Sequence, residues 1–307
     1  AAGKSAEDKA IWVIRRGEFD IANIDFIGAK ADDMNGAGIR FEGGTLRVRH
    51  CLFWGNQMGL MTSGRPHAAD TRLEVESSEF AYSHVPGRWG HNLYVGTIDH
   101  LRVVGSYSHH AYRGHLLKSR AQVNEILYNR FTDESGGRAS YELDFPNGGT
   151  VRMLGNVVQQ QQDTENGVIV SVGEEGYIWP RTTVTMASNT LVNDHPHGGA
   201  FLRVSPGAER VETGNNLLVG PGRYLFEGRL STANDARADW EHLARPARQD
   251  YRLRDRDGRF LFQALADAAS VPRQQYLHGH GAVPLAQRPV VVGADQRAFD
   301  AQADSGL

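Results

Sequence analysis

One cysteine, Cys51, stands in 307 residues, so no disulfide can form within the chain. No apolar run approaches the roughly 18 residues of a membrane-spanning helix, and no membrane span is expected. Charge of one sign is also lacking: 33 Lys and Arg against 36 Asp and Glu leave a net −3. A nucleic-acid-binding domain is usually distinctly basic, so nucleic acid is not the expected partner. Between Ile11 and Gly220 there is neither 3.6-residue periodicity nor a strict leucine ladder, which removes helical and horseshoe repeats. Phosphate-cradling glycine loops and serine nucleophile elbows are missing as well.

What is present is a recurring apolar marker: Phe26, Phe53, Phe80, Tyr107, Phe131, Val158, Leu191 and Leu218, at intervals of 27, 27, 27, 24, 27, 33 and 27. Two places before each marker stands Ile24, Cys51, Ser78, Gly105, Asn129, Asn156, Asn189 or Asn216. Each period holds short apolar-polar alternations separated by Gly, Asn, Asp or Ser, which read as short strands. The expected fold is therefore all-β, a right-handed parallel β-helix of about eight coils stacked roughly 4.8 Å apart. Its asparagines should form an internal ladder at one bend, where Asn tolerates unusual backbone angles. Cys51 occupies a rung of that ladder and reads as a small buried residue.

Residues 1–222 are assigned to the solenoid. Residues 223–307, rich in Arg and Asp, form an extension of the same domain that caps the end or straps the side, with one helix near Phe262 to Ala269. His278 and His280 belong to that extension. The chain opens Ala1-Ala2-Gly3 without Met, as a product trimmed of its signal would, and a secreted or periplasmic location is expected.

Aligning the strand before each marker places Ile39, Leu60, Leu93, Leu116, Leu143 and Val168 in one inward column. The outward neighbours are unremarkable at both ends and polar in the middle: Asn92 and Tyr94, then His115, then Glu142 and Asp144. Lys118 shares the parity of Leu116, and an unpaired Lys in the core would cost several kcal/mol. A bulge at Leu117 is therefore expected, turning Lys118 and Arg120 outward beside His115. Two insertions flank this face, Ser63-Gly64-Arg65-Pro66-His67 and Gly173-Glu174-Glu175-Gly176-Tyr177-Ile178-Trp179-Pro180. Tyr177 and Trp179 are either sugar-stacking walls or a cover over the core.

The coil period and the asparagine series resemble the right-handed parallel β-helix superfamily, which includes pectate-lyase-like and alginate-lyase-like polysaccharide lyases, C5-epimerases and polygalacturonase-like hydrolases. The resemblance covers about Ile11 to Gly220. The Asn-Thr-Asp and Asp-Asp pattern of the hydrolases, the Asp-Pro-His-Asp signature of mannuronan epimerases and the acidic calcium cluster of pectate lyases are not matched. What the resemblance implies is an anionic polysaccharide or oligosaccharide lying in the outer groove, cleaved by β-elimination. The catalytic group would be His115, Lys118, Arg120 and Tyr94, and the substrate-binding group Asn92, Arg113, Tyr141, Glu142, Asp144, Tyr177 and Trp179. Arg120, with Arg113 and Asn92, would neutralise a uronate carboxylate, His115 or Lys118 would take the C5 proton, and Tyr94 would protonate the leaving oxygen.

Three alternatives stand beside the lyase. A C5-epimerase would use the same groups on the same substrates. An inverting hydrolase would use Glu142 and Asp144, two apart on a strand and so about 7 Å apart. A non-catalytic glycan-binding solenoid would use the groove without turnover. Elimination requires no cofactor, and calcium is the ion Glu142 and Asp144 would hold. The pairs His109-His110, His195-Pro196-His197 and His278-Gly279-His280 lack the ligand count of a zinc site.

Overall fold

Short alternating segments with Gly or Asn at each bend can bury only one face apiece, and stacking supplies the missing cover. In the computed structural model, which describes residues 5–63 and 68–297, they build three parallel sheets of nine strands each. Successive strands of the chain enter the three sheets in turn, giving nine stacked coils of a right-handed parallel β-helix. The first sheet runs from Ala10–Ile14 to Arg223–Phe226, the second from Glu18–Ala22 to Leu230–Ala233, and the third from Asp25–Ile27 to Ala236–Ala238. Regular coils thus continue past Gly222, where the sequence marker fades.

Inside, Phe26, Phe53 and Phe80 stack with ring centroids 4.9 and 4.5 Å apart. Phe131, Val158, Leu191 and Leu218 continue that column, but its fourth member is Ser108 and not the expected Tyr107. Tyr107 lies level with Glu79 and Arg130 on the outer face. The short 24-residue interval hid a one-residue shift, because Ser108 carries no apolar signature.

The ladder forms as expected and is longer than its asparagines. Backbone amides donate to the next coil's side chain from Cys51 to Ser78 Oγ, Ser78 to Ser106 Oγ, and Ser106 to Asn129 Oδ1. Asn129, Asn156 and Asn189 each donate through both N–H and Nδ2 to the Oδ1 of the following Asn, at 2.8–3.0 Å. Asp235 ends the series by accepting from Asn216. The left-handed backbone falls on the residue before each rung, including Tyr128, Ser188 and Asn215, and not on the rung itself.

Beyond Ala238 the chain lies along the side of the solenoid. Leu243, Tyr251, Leu253, Phe260 and Val291 pack on Val157, Val192, Leu217 and Val219. Leu265 and Ala282 cover Val104, Leu127 and Leu154. The helix expected near Phe262 to Ala269 is reduced to a single 3-10 turn at Ala268–Ser270. Helical structure among the described residues is confined to four 3-10 turns, two of them started by Asp257 and Asp267 side chains that accept backbone N–H groups. No helix there is long and apolar enough to cross a membrane.

Asn156 accepts from Asn129 and donates to Ile126 O and Asn189 Oδ1 while fully buried. Asn156→Ala leaves several of these groups without partners, at about 1–3 kcal/mol for each unsatisfied group. A loss of roughly 3 kcal/mol in urea unfolding is expected. A change below about 1 kcal/mol would show that the ladder does not hold the coils in register.

Candidate functional site

Strand register decides which polar residues meet on the first sheet. Leu93, Leu117 and Leu143 are aligned, so Tyr94, Lys118 and Asp144 form the adjacent outer row. The expected column through Leu116 is corrected by one residue, and Lys118 reaches the outside on a regular strand with no bulge. Val170, not Val168, continues the inward column. Leu116 and Leu117 are both fully buried because the chain bends between sheets just before the strand, where two consecutive side chains can face inward. That bend removed the parity on which the sequence alignment relied.

The same bend takes Asn92 and Glu142 out of the groove. Gly38 and Gly59 face the phenylalanine stack at this level, and a Cβ on Gly38 would come within 2.7 Å of Phe53. Where Ser108 replaces a phenylalanine, Asn92 turns inward instead, donating to Phe80 O, Ser108 Oγ and His109 O. Glu142 aligns with Ile169, a core residue, and is fully buried with neither carboxylate oxygen hydrogen-bonded. Burial, reinforced by Asp133, holds its pKa well above the carboxylate range. Asp133 is raised by burial too. Glu142 and Asp144 therefore lie on opposite sides of the coil wall and do not converge on one calcium ion or flank one glycosidic bond.

The outer face gathers the remaining groups. His91, His115 and Tyr141 lie ring against ring in tilted contact across three coils, with centroids 4.8 and 5.1 Å apart. His91 Nδ1 accepts from the His115 amide and His115 Nδ1 from the Tyr141 amide, so each neutral ring carries its proton on Nε2. Burial, then neighbouring positive charge, holds both well below the ordinary histidine pKa, His91 at about 3. His115 Nε2 lies 3.6 Å from Asp144 Oδ2.

Lys118 Nζ sits 3.0 Å from Asp144 and 2.8 Å from Glu175. Burial opposes its charge, but these two carboxylates outweigh burial and raise its pKa. Burial likewise raises Asp144 against the pull of Lys118, so the pair is more sensitive to acid than an exposed one. Arg120 grips both oxygens of Glu175 at 2.7 and 2.9 Å, donates to the Tyr94 hydroxyl at 3.2 Å and lies over the Tyr94 ring. Arg203 donates to the Tyr141 hydroxyl at 2.7 Å and pairs with Glu174.

Of the two insertions, residues 64–67 of the first lie outside the described residues. In the second, Tyr177 folds back over Gly148 and Gly173 and donates to Ser205 O, while Trp179 Nε1 donates to Arg120 O. Both aromatics anchor the loop and do not stand as free walls. Their anchoring is what delivers Glu174 and Glu175 to the cations. Glu174, Glu175 and Arg203 were absent from the expected set, although the insertion's length pointed to that loop.

Arg113 pairs with Glu165 and, with His91, Tyr94 and Trp89, lines a cavity of about 510 Å³ at one end of the face. Trp89, 62% exposed, is the open aromatic that Tyr177 and Trp179 were expected to supply. Arg203, Arg223 and His197 line a second cavity of about 630 Å³ at the other end. A polar track thus follows the coil axis across the first sheet. No protein-family model, curated protein or solved structure matches the chain. The fold and this track define it as a parallel β-helix with a charged groove on one outer sheet.

Glu142 and Asp133 keep their protons in the folded chain and lose them in the ordinary carboxylate range when unfolded, so their burial lowers stability as pH rises from about 4. Glu142→Gln should therefore be more stable than the parent at pH 8. Its stability should also fall less steeply between pH 5 and 8, by up to about 1.4 kcal/mol per pH unit. Superimposable pH curves in chemical denaturation would place Glu142 in solvent.

Proposed function

We propose that the groove on the first sheet binds a uronic-acid-containing polysaccharide and cleaves it by β-elimination. One observation carries this reading: a carboxylate, that of Glu175, already sits where Lys118 and Arg120 converge. A uronate carboxylate of the same size and charge could take that seat, with Arg120 as its bidentate partner. The two end cavities leave room for sugar rings along the axis, with Trp89 as a stacking surface at one end.

In this proposal Arg120 neutralises the substrate carboxylate, which makes the C5 proton removable by stabilising the enolate. Lys118 passes its proton to Asp144, whose acidity burial weakens, and the resulting amine takes the C5 proton. The C4–O bond breaks as the C4–C5 double bond forms, and Tyr94, accepting from Arg120, gives its own proton to the leaving oxygen. His115 is less suited to the base role, because its Nδ1 is engaged and its Nε2 is protonated. Its place is to orient Asp144.

The test is incubation with a panel of acidic polysaccharides, following the ultraviolet absorbance of unsaturated uronates together with reducing ends. Elimination raises both, hydrolysis raises only reducing ends, and a binding protein raises neither, so either of the last two results overturns the proposal. On the substrate that responds, Lys118→Ala and Tyr94→Phe should each lower kcat by about 10² to 10⁴ with the fold intact. Glu175→Gln, which weakens the competing anion, should lower KM several-fold. An unchanged or raised KM would make Glu175 a structural anchor and not a stand-in for substrate.

A further inference from the structure

A group of polar side chains that the groove does not use is sealed inside the solenoid, at the bend leading from the third sheet into the first. Asp133, Glu142 and Gln160 are all fully buried there. Asp133 and Gln160 directly follow the paired residues Thr132 and Gln159, so they occupy the same place in adjacent coils. Glu142 stands at the other end of the bend, one residue before Leu143 opens its strand.

Every free atom in this group is an acceptor. Both carboxylate oxygens of Glu142, Oδ1 of Asp133 and Oε1 of Gln160 have no hydrogen-bond partner, although buried polar atoms in folded proteins almost always have one. The satisfied atoms hold the free ones in place. Asp133 Oδ2 accepts from the Ala139 amide at 2.9 Å, and Gln160 Nε2 donates to Asn166 O at 3.0 Å across the same bend of the next coil, leaving Oε1 bare. The charge of Asp133 acts on Glu142, so the two carboxyls lie within electrostatic range of each other. Among the described residues, no Lys, Arg or His pairs with either.

The loop from Asp133 to Tyr141 closes over the group. A Cβ at Gly137 would come within 2.2 Å of Asp133 Oδ1, so glycine is what lets the chain lie against that oxygen. Neighbouring coils complete the seal. Arg138 N donates to Ala111 O, Ser140 N to Gly114 O and Asn166 Nδ2 to Ser140 Oγ.

Buried acceptors with no donor are costly unless something positive joins them. A ligand set made only of oxygen suits a hard cation, and calcium tolerates irregular geometry, whereas magnesium keeps several of its waters and fits a closed interior poorly. We infer that Asp133, Glu142 and Gln160 form an internal calcium site, with both oxygens of Glu142 and one oxygen each from Asp133 and Gln160 as ligands. Calcium takes about six to eight oxygens, so water or carbonyls of the bend supply the remainder. The ion takes the place of the protons that the two carboxyls otherwise keep, and its charge equals theirs in magnitude. It fastens two coils together at the bend that sets the facing of Leu143 and Asp144. The site stands independently of the activity proposed for the groove.

Thermal unfolding opens the site, so the melting temperature registers the ion although the loop seals it. Calorimetric scans of the whole chain in chelator, and then with calcium, magnesium or sodium chloride, test the inference. Calcium at about a hundredfold excess over its Kd should raise the melting temperature by about 4 °C, more than either other salt. Protein prepared in calcium and dialysed against metal-free buffer should retain one calcium per chain by elemental analysis. Glu142→Gln and Asp133→Asn keep the size of the side chain and remove its charge, and each should cut the calcium shift to below about 1 °C. Glu142→Gln still folds, because the parent already carries a neutral group there when no ion is bound. Asp144→Asn, on the other side of the coil wall, should leave the shift intact. No calcium retained after preparation at millimolar concentration, a shift as large with magnesium or sodium, or equal shifts in the parent and Glu142→Gln overturns the inference.

Discussion

The asparagine ladder is the constraint on which the other contacts depend. Stacked parallel strands can slide past one another by a residue at modest cost in backbone hydrogen bonds, but such a slide would turn every side chain to the opposite face. Asn129, Asn156, Asn189 and Asn216 prevent it, because each buried amide binds both the coil before it and the coil after it. A slipped coil would leave these groups unsatisfied in the interior. With one rung per coil pinned, the facing of residues elsewhere on the coil follows from strand length and from where the chain bends.

Bends decide more than strands do. Alternation of inward and outward residues lapses where the chain passes from the third sheet into the first: Leu116 with Leu117, Ile169 with Val170, and Phe201 with Leu202 are buried as consecutive pairs, the last two at the start of strands. The same geometry internalises Asn92 and Glu142. Asn92 is accommodated by a serine in the phenylalanine column, whereas Glu142 has no compensating donor and is accommodated by keeping its proton.

Two concentrations of positive charge on a mildly acidic chain arise by different means. On the first sheet, Lys118 and Arg120 come from one strand and its exit, and an insertion six residues beyond the usual period folds back through Tyr177 and Trp179 to bring Glu175 to them. Beside the third sheet, the arginines are mostly from the strap, held over Arg130 and Tyr107 by apolar packing at Val157, Val192 and Leu217. In the first case carboxylate and cations balance locally.

The sequence by itself determined the period, the parallel β-helix and the ladder, because these follow from local patterns repeated often enough that one irregular coil does not hide them. It also located the polar middle coils, and Tyr94, His115, Lys118, Arg120, Tyr141 and Asp144 do share one face. Only the tertiary structure decided that Leu117 and not Leu116 stacks on Leu93, that Glu142 is inside, and that Glu175 and Arg203 complete the face. The cavity that the strap encloses beside the third sheet was equally invisible, since its walls are up to 190 residues apart, from Tyr107 to Arg297. The physical reason is the same in each case: a repeat records what stacking requires of every coil, while the direction of a side chain at a bend and the docking of a non-repeating segment depend on neighbours that the pattern does not encode.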